Sequence, residues 1–365
     1  MTAFTCNTCG LAYSEIGLPH LCPNCGGVFR VNPLEFGEES AEQQSLAGIW
    51  RYKHSFGLLS DAKPVYLGEG GTPLVERMVA GKRVAFKLEN LNPTGSFKDR
   101  GTALLTSLMI SRGITEVVED SSGNAGASLA AYTSAWGIKS HIFVPESASG
   151  PKLQQMIMSG AQVVRIPGAR EVAHQAALAF GKEKGLPYAS HALLPIGIPG
   201  IATIAYELAE QLRELPGTII APVGHGSMLL GLLLGLRALC TDKPNPKLPV
   251  MVGVQPANCA PLAAHWQNEA FTGSRGTSLA EGTQIEKPVH GDEIISLFRP
   301  GRDHLLAVEE DDLRMAITEL ARMGIYVEPT SAMVWAALKR LIHNLPEPIV
   351  LVFSGSGLKF IQPKT

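Results

Sequence analysis

The sequence predicts an α/β protein with two parallel-sheet α/β domains behind a small N-terminal four-cysteine module. Three observations lead there. From residue 66 onward, short and nearly continuous apolar runs alternate with amphipathic stretches, as expected for strands covered by helices on both faces. Several of those runs end in turns rich in glycine and hydroxyl residues that open the next helical stretch. Two Cys-x2-Cys pairs stand in the first 25 residues.

The cysteine module, residues 1–31, comes first. Cys6-x2-Cys9 and Cys22-x2-Cys25 have the spacing of a tetrahedral zinc site with four thiolate ligands. About thirty residues are too few to fold on an apolar core alone, so a bound metal would supply stability. Arg30 is its only strongly basic side chain, beside His20, so the module is expected to dock within the protein rather than on nucleic acid. Residues 32–65 read as a connecting arm, acidic at first (Glu35, Glu38, Glu39, Glu42) and then aromatic (Trp50, Tyr52).

Beyond the arm, strands are predicted at 84–88, 116–119, 140–144, 162–166, 218–223, 250–254 and 349–353. Helices are predicted over 97–111, 124–136, 151–159, 170–184, 200–212, 227–240, 311–322 and 331–342. Such alternation argues for parallel sheets built from right-handed crossovers. Residues 261–295, with Gly273, Gly276, Gly282 and Gly291, read as loop-rich. The stretch 218–236 is long enough to span a bilayer, but Pro222, Gly224, His225 and Gly226 interrupt it. A buried strand, a glycine loop and a buried helix explain it better.

Composition excludes some functions. Of 365 residues, 45% are hydrophobic and 18% charged, with a formal net charge of −2, so bulk electrostatics give no reason to expect nucleic-acid or anionic-membrane partners. Residues 1–5 have neither a basic start nor an apolar core, so no secretory leader is read and the cytoplasm is the expected location. In that compartment the four clustered cysteines suit metal better than disulfides, and the solitary Cys240 and Cys259 suit burial.

Four segments carry chemistry. In Asn92-Pro93-Thr94-Gly95-Ser96-Phe97-Lys98-Asp99-Arg100-Gly101, an amine sits at the first turn of a helix, where the dipole disfavours it. That lysine suits a Schiff base with an aldehyde cofactor, and the polar loop before it suits an amino-acid carboxylate. In Asp120-Ser121-Ser122-Gly123-Asn124, a strand runs into a helix whose first amides favour an anion; a plain capped turn is the other reading. In Val223-Gly224-His225-Gly226-Ser227, two glycines let the backbone approach an anion closely, which fits a phosphate monoester. Val352-Phe353-Ser354-Gly355-Ser356-Gly357-Leu358-Lys359 follows the last strand as a second glycine-rich turn.

Together these segments resemble the fold-type II pyridoxal-phosphate enzymes, whose type is the tryptophan synthase β-like fold. Within that family they look most like its threonine-synthase branch. The likeness covers residues from about 66 to 360 and includes Leu67-Gly68-Glu69-Gly70-Gly71-Thr72-Pro73-Leu74. It implies pyridoxal 5'-phosphate as cofactor, joined to Lys98, which also acts as the base. It implies further cofactor contacts from Phe97, from Asn124 at the 3'-oxygen, from Gly224, His225, Gly226 and Ser227 at the 5'-phosphate, and from Ser354 at the pyridine nitrogen. Thr94, Ser121, Ser122 and Gly123 would contact the substrate. His225 stands where the family often has glycine; it either tunes the loop or fills space. Glu328 lies either near the ring or at a strand end.

The resemblance also implies a large domain from 66–97 and 201–365, a small mobile domain from 98–200, a site between them, and a homodimer. A zinc ribbon ahead of the core occurs in some relatives. The implied reaction converts O-phospho-L-homoserine and water to L-threonine and phosphate. One stretch departs from the pattern. Residues 192–203 offer Leu194, Gly197, Ile201 and Ala202 where the branch has polar and basic partners for the substrate phosphate. Lys152 and Arg170 either substitute or are solvated helix residues. A serine/threonine ammonia-lyase, or another lyase on a different amino acid, is therefore the alternative.

Overall fold

A computed structural model describes residues 3–36, 45–59, 62–241 and 247–361. Glu38, Glu39 and Glu42 of the arm lie outside the described residues. The chain forms two units, one from Met1–Gly70 with Lys98–Ile201, the other from Gly71–Phe97 with Ala202–Thr365.

The first unit holds a parallel sheet ordered Glu116–Glu119, Lys139–Pro145, Gln162–Ile166. Tyr188 adds a parallel bridge beside Val118 at its edge. Helices Lys98–Ser111, Asn124–Ala135, Pro151–Met158 and Arg170–Lys184 connect and cover these strands. Ala127, Ala130, Ile142, Val144, Leu153 and Met156 form one buried cluster; Val118, Phe143 and Ala177 form another. The cysteine module contributes a two-stranded antiparallel ribbon, Phe4–Cys6 with Phe29–Val31. The described part of the arm winds as tight turns over Gly48–Leu59, with Trp50, Tyr52 and Phe56 buried.

The second unit holds six strands in the order His304–Val308, Val250–Pro256, Thr218–Pro222, Ile349–Val352, Lys82–Lys87, Leu74–Val79. All pairs are parallel except the outer hairpin of Leu74–Val79 with Lys82–Lys87. Ala80 (φ 48°) and Gly81 (φ 78°) make its two-residue turn, as a tight hairpin requires. Val84, Phe86, Ile220, Val252, Leu351 and Phe353 bury one face against helix Pro329–Leu341. Phe86 sits 5.5 Å from Phe353 and 6.1 Å from Trp335 between ring centroids.

Two of these strands were not expected. Leu74–Val79 and His304–Val308 are edge strands with half their residues or more outside the core, so neither shows a continuous apolar run. The stretch flagged for a membrane resolves into strand Thr218–Pro222, a loop and helix Ser227–Ala238. Among the described residues no helix is long and apolar enough to cross a membrane. Residues 261–295 are mostly loop, carrying the short helix Pro261–Trp266, a turn at Glu281–Thr283, and the start of helix Gly291–Leu297.

Candidate functional site

In the first unit, Lys98 is the first residue of its helix. The fully buried Asp99 accepts a 2.6 Å hydrogen bond from Ser128 on helix Asn124–Ala135. Ser128 also lies 2.8 Å from Thr102 Oγ1, which donates to the Lys98 carbonyl at 3.0 Å. The helices that begin at Lys98 and Asn124 are thus tied within one turn of both residues. Gly101 packs on Gly197, where a Cβ on either would come within 3.1 Å of the other's backbone. That contact explains one departure from the expected pattern: Gly197 has no room for a basic side chain. Leu194, Ile201 and Ala202 are buried.

The loop before Asn124 is backed by acids. Glu119, fully buried at the strand end, accepts the Ser121 N–H on one oxygen and meets His191 Nδ1 at 2.9 Å on the other. Gly123 N–H donates to Ser121 Oγ at 3.3 Å. A Cβ on Gly126 would fall 2.0 Å from the Ser121 carbonyl, so the third residue of that helix must be glycine. Ser122, Gly123 and Asn124 are half-buried, while Ser121 is buried.

Beside Glu119, Asp120 accepts from the Tyr188 hydroxyl and pairs with His174 Nδ1 at 3.2 Å. Burial, and then the Asp120 charge, push the Glu119 carboxyl up to about 8. Burial opposes the Asp120 charge too, but His174, Tyr188 and the charge of Arg170 more than offset it and hold that carboxyl down at about 2. His191 is held well below its ordinary value by burial, then by the charges of Lys98 and Arg170. Arg170, exposed at its helix start, therefore acts on this cluster; Lys152 sits at the start of helix Pro151–Met158.

In the second unit, the expected loop Gly224–Ser227 leaves strand Thr218–Pro222 and opens helix Ser227–Ala238. Gly226 has φ 101°, and a Cβ there would lie 2.5 Å from Ile294 Cδ1 and 3.1 Å from His290 Cβ. A Cβ on Gly224 would lie 2.9 Å from the Gly282 carbonyl. His225 accepts the His290 N–H through its carbonyl at 3.0 Å and is half-buried. Two glycines at a helix N-terminus, each without room for a Cβ, leave backbone where an anion could be received.

Ser354 follows the neighbouring parallel strand, Ile349–Val352, and is buried. Its hydroxyl lies 3.0 Å from Ser331 Oγ and 3.4 Å from Glu328 Oε1. Glu328 is buried, and its carboxylate occupies the space a Gly355 side chain would need, 2.2 Å from where a Cβ would stand. The Ser354–Lys359 segment runs against the loop that precedes Lys98. Phe97 N–H donates to the Ser354 carbonyl at 3.0 Å, Ser356 N–H to the Gly95 carbonyl at 2.9 Å, and Lys359 Nζ to the Thr94 carbonyl at 2.7 Å. Thr94 is buried, Phe97 half-buried.

A second buried network steadies the same loop. Glu89 accepts from Thr72 at 2.6 Å and from Asn92 Nδ2 at 2.9 Å. Lys87 Nζ donates to the Thr72 carbonyl at 2.9 Å and to Glu207 at 2.6 Å, and Glu207 also accepts the Gly71 N–H at 2.8 Å.

The four thiols of Cys6, Cys9, Cys22 and Cys25 lie within 4.8 Å of one another, with Cys6–Cys25 at 3.5 Å and Cys9–Cys22 at 3.6 Å. A tetrahedron with metal–sulfur bonds of about 2.3 Å has edges of about 3.8 Å. The two knuckles are alike. Gly10 and Gly26, at φ 73° and 72°, donate to the carbonyls of Cys6 and Cys22. A Cβ on Gly27 would lie 3.0 Å from Cys6 Sγ. Cys240 and Cys259 are buried, as expected.

Sequence reasoning missed Glu119, His174, Tyr188 and His191, whose partners lie far away in the chain. The one available signal was an acid pair, Glu119-Asp120, at the end of an apolar strand. It also missed Ser331 and Lys359 as partners of motif residues.

Comparison with known proteins matches residues 65–355 to the family described as "Pyridoxal-phosphate dependent enzyme". The threonine synthase of Methanocaldococcus jannaschii is 31% identical, over 97% of this chain and 92% of its own. That of Mycobacterium leprae is 30% identical, over 88% and 91%. Among solved structures, a T.th. threonine deaminase superposes with a TM-score of 0.68 at 27% identity, covering 80% of this chain and 94% of that one. Maize serine racemase, at 23% identity and a TM-score of 0.68 over 78% and 88%, shares the fold.

Proposed function

The chain belongs to the family of pyridoxal-phosphate dependent enzymes, and from that premise we propose that it is a threonine synthase, converting O-phospho-L-homoserine and water to L-threonine and phosphate. The observation that carries the reading is the pairing of Thr94–Phe97 with Ser354–Lys359, which joins the two segments most like that branch into one support for the residue before Lys98.

The residues present fit the cofactor. The Gly224–Ser227 loop, closed to a Cβ at Gly224 and Gly226, suits its phosphate, with the dipole of helix Ser227–Ala238 adding to the attraction. Phe97 and Asn124 would contact the ring, Asn124 at its phenolic oxygen. Ser354 would face the ring nitrogen with a neutral hydroxyl, which restrains transamination while allowing elimination and replacement. Bound there, pyridoxal phosphate supplies an aldehyde for the lysine and a ring that draws electrons from the substrate Cα.

Lys98 Nζ removes the Cα proton and moves a proton at Cβ as phosphate departs from Cγ. Lys98 delivers the proton taken from Cβ to Cγ, which becomes the methyl group; water then adds its hydroxyl at Cβ and gives up its proton to the departing phosphate, and Lys98 returns a proton to Cα. Ser121, Ser122, Gly123 and Thr94 orient the substrate carboxylate. The four thiols would hold a structural zinc ion, a reading supported by their spacing and the two glycine knuckles. The homodimer and the cytoplasmic location rest on the family likeness and the sequence alone.

A second reading, an ammonia-lyase acting on serine or threonine, is favoured by the packing of Gly197 on Gly101 and the burial of Leu194, Ile201 and Ala202. These leave that segment no cation for a second phosphate. The test is to add O-phospho-L-homoserine to the coloured protein. Phosphate and threonine released in equal amounts support the synthase. Oxo-acid from serine or threonine, with no turnover of O-phospho-L-homoserine, moves the function to the lyase.

A further inference from the structure

Three contacts of the cysteine ribbon within its own unit lead toward the site elements. Arg112, just past the end of the helix that begins at Lys98, donates to the Gly17 and Ser14 carbonyls at 2.6 and 2.7 Å, its guanidinium 5.6 Å from the Tyr13 ring centroid. The ribbon strand Phe29–Val31 lies against the turn Pro195–Gly197, whose Gly197 packs on Gly101. His20, two residues before Cys22, packs edge-on against Tyr188 at 5.1 Å between centroids and 87° between planes. The Tyr188 hydroxyl in turn donates to Asp120, the residue before the Ser121–Asn124 loop.

We propose that the ribbon is a brace for the active site: His20, through Tyr188 and Asp120, is a positioning residue for the loop that takes the substrate carboxylate. This rests on the reading of Lys98 and Ser121–Asn124 as site elements. The ribbon has a small core, so its shape depends on its metal, and the brace is only as firm as the four-thiolate site. Tyr188 is suited to transmit the position. It is buried, its neighbours Pro187 and Ala189 bond to Val118 at 3.0 and 2.7 Å, and its ring cannot follow a displaced His20 without moving the hydroxyl from Asp120.

The test is amide hydrogen exchange on the zinc- and cofactor-loaded protein, with Tyr188→Phe and His20→Ala as variants. The Ser121 amide, bonded to Glu119, reports on the loop directly. Both variants should speed exchange over residues 119–126 by roughly three- to tenfold, the scale of one net hydrogen bond. Tyr188→Phe should leave exchange over residues 3–31 and zinc content unchanged. KM for O-phospho-L-homoserine should rise in the same proportion, with kcat and cofactor absorbance unaltered, and the double variant should be no worse than the more affected single one. Loop exchange at the wild-type rate in Tyr188→Phe overturns the proposal, as does full additivity in the double variant. If His20→Ala sheds its zinc, His20→Gln, which removes the ring but keeps a polar side chain, takes its place, and wild-type loop exchange in a zinc-loaded His20 variant also overturns the proposal. The exchange measurement stands even if the protein does not turn over O-phospho-L-homoserine, so failure of the brace and failure of the synthase reading are distinguishable.

Discussion

The two strand-to-helix loops proposed to receive anions are built in opposite ways. The Gly224–Ser227 loop is shaped by exclusion: Ile294, His290 and Gly282 fill the space around its glycines, and an apolar helix follows. The Ser121–Asn124 loop is shaped by hydrogen bonds: Glu119 holds its first amide, and Asp120, Tyr188, His174 and His191 form a titratable network behind it. Steric shaping suits a group that stays, such as a cofactor phosphate. A polar, protonatable backing suits a group that must arrive and leave each turnover, because its affinity is adjustable by small movements of charge.

The largest effect that can break this contrast comes from the glycines. Gly226→Ala places a side chain at φ 101° against Ile294. Left-handed strain and forced repacking should together cost about 2–3 kcal/mol. Cofactor retention, measured by absorbance after dialysis, should fall about thirtyfold or more. Gly126→Ala pushes on the Ser121 carbonyl and should raise substrate KM by a similar factor while the cofactor stays bound.

The next effect is on pH dependence. Glu119 has a folded value of about 8 against an ordinary 4.5, so the native state holds a proton the unfolded chain releases. Its contribution is fully present below 4.5 and is lost as pH rises through about 8. Asp120, held at about 2 against 3.8, contributes in the opposite sense, present above 3.8 and lost as pH falls through about 2. Glu119→Gln should therefore flatten the decline in Tm between pH 4.5 and 8, and leave the acid limb, which Asp120 controls, in place. It should also remove any rise in substrate KM above about pH 8, where a second negative charge would form behind the loop.

The smallest effect is at the clamp. Lys359→Met keeps the stem against Gly95 but removes the hydrogen bond to Thr94. A cost of about 1 kcal/mol should appear as a several-fold rise in KM, largely restored by Lys359→Arg.

What the sequence made legible follows from burial. The central strands, such as Thr218–Pro222 and Ile349–Val352, are buried on both faces and read as unbroken apolar runs. Edge strand Leu74–Val79 exposes Glu76, Arg77 and Met78 and turns through Ala80-Gly81 rather than an Asn-Gly pair, so neither pattern nor turn chemistry revealed it. Helices Ile198–Leu212 and Pro329–Leu341 begin two residues earlier than expected because Pro199 and Pro329 sit in the first turn, where a missing N–H costs nothing. The motif residues were readable because strand-end chemistry is local in sequence. Glu119 and His191, 72 residues apart, meet only through the fold. The same holds for Tyr188 and Asp120, 68 apart.

The most direct measurement is of cofactor and substrate affinity, side by side, in Gly226→Ala and in Ser122→Ala. The division of labour between the loops predicts that Gly226→Ala loses cofactor while Ser122→Ala keeps it and loses affinity for O-phospho-L-homoserine. If Ser122→Ala sheds cofactor as readily as Gly226→Ala, or if Gly226→Ala retains it, the assignment of the two loops is wrong.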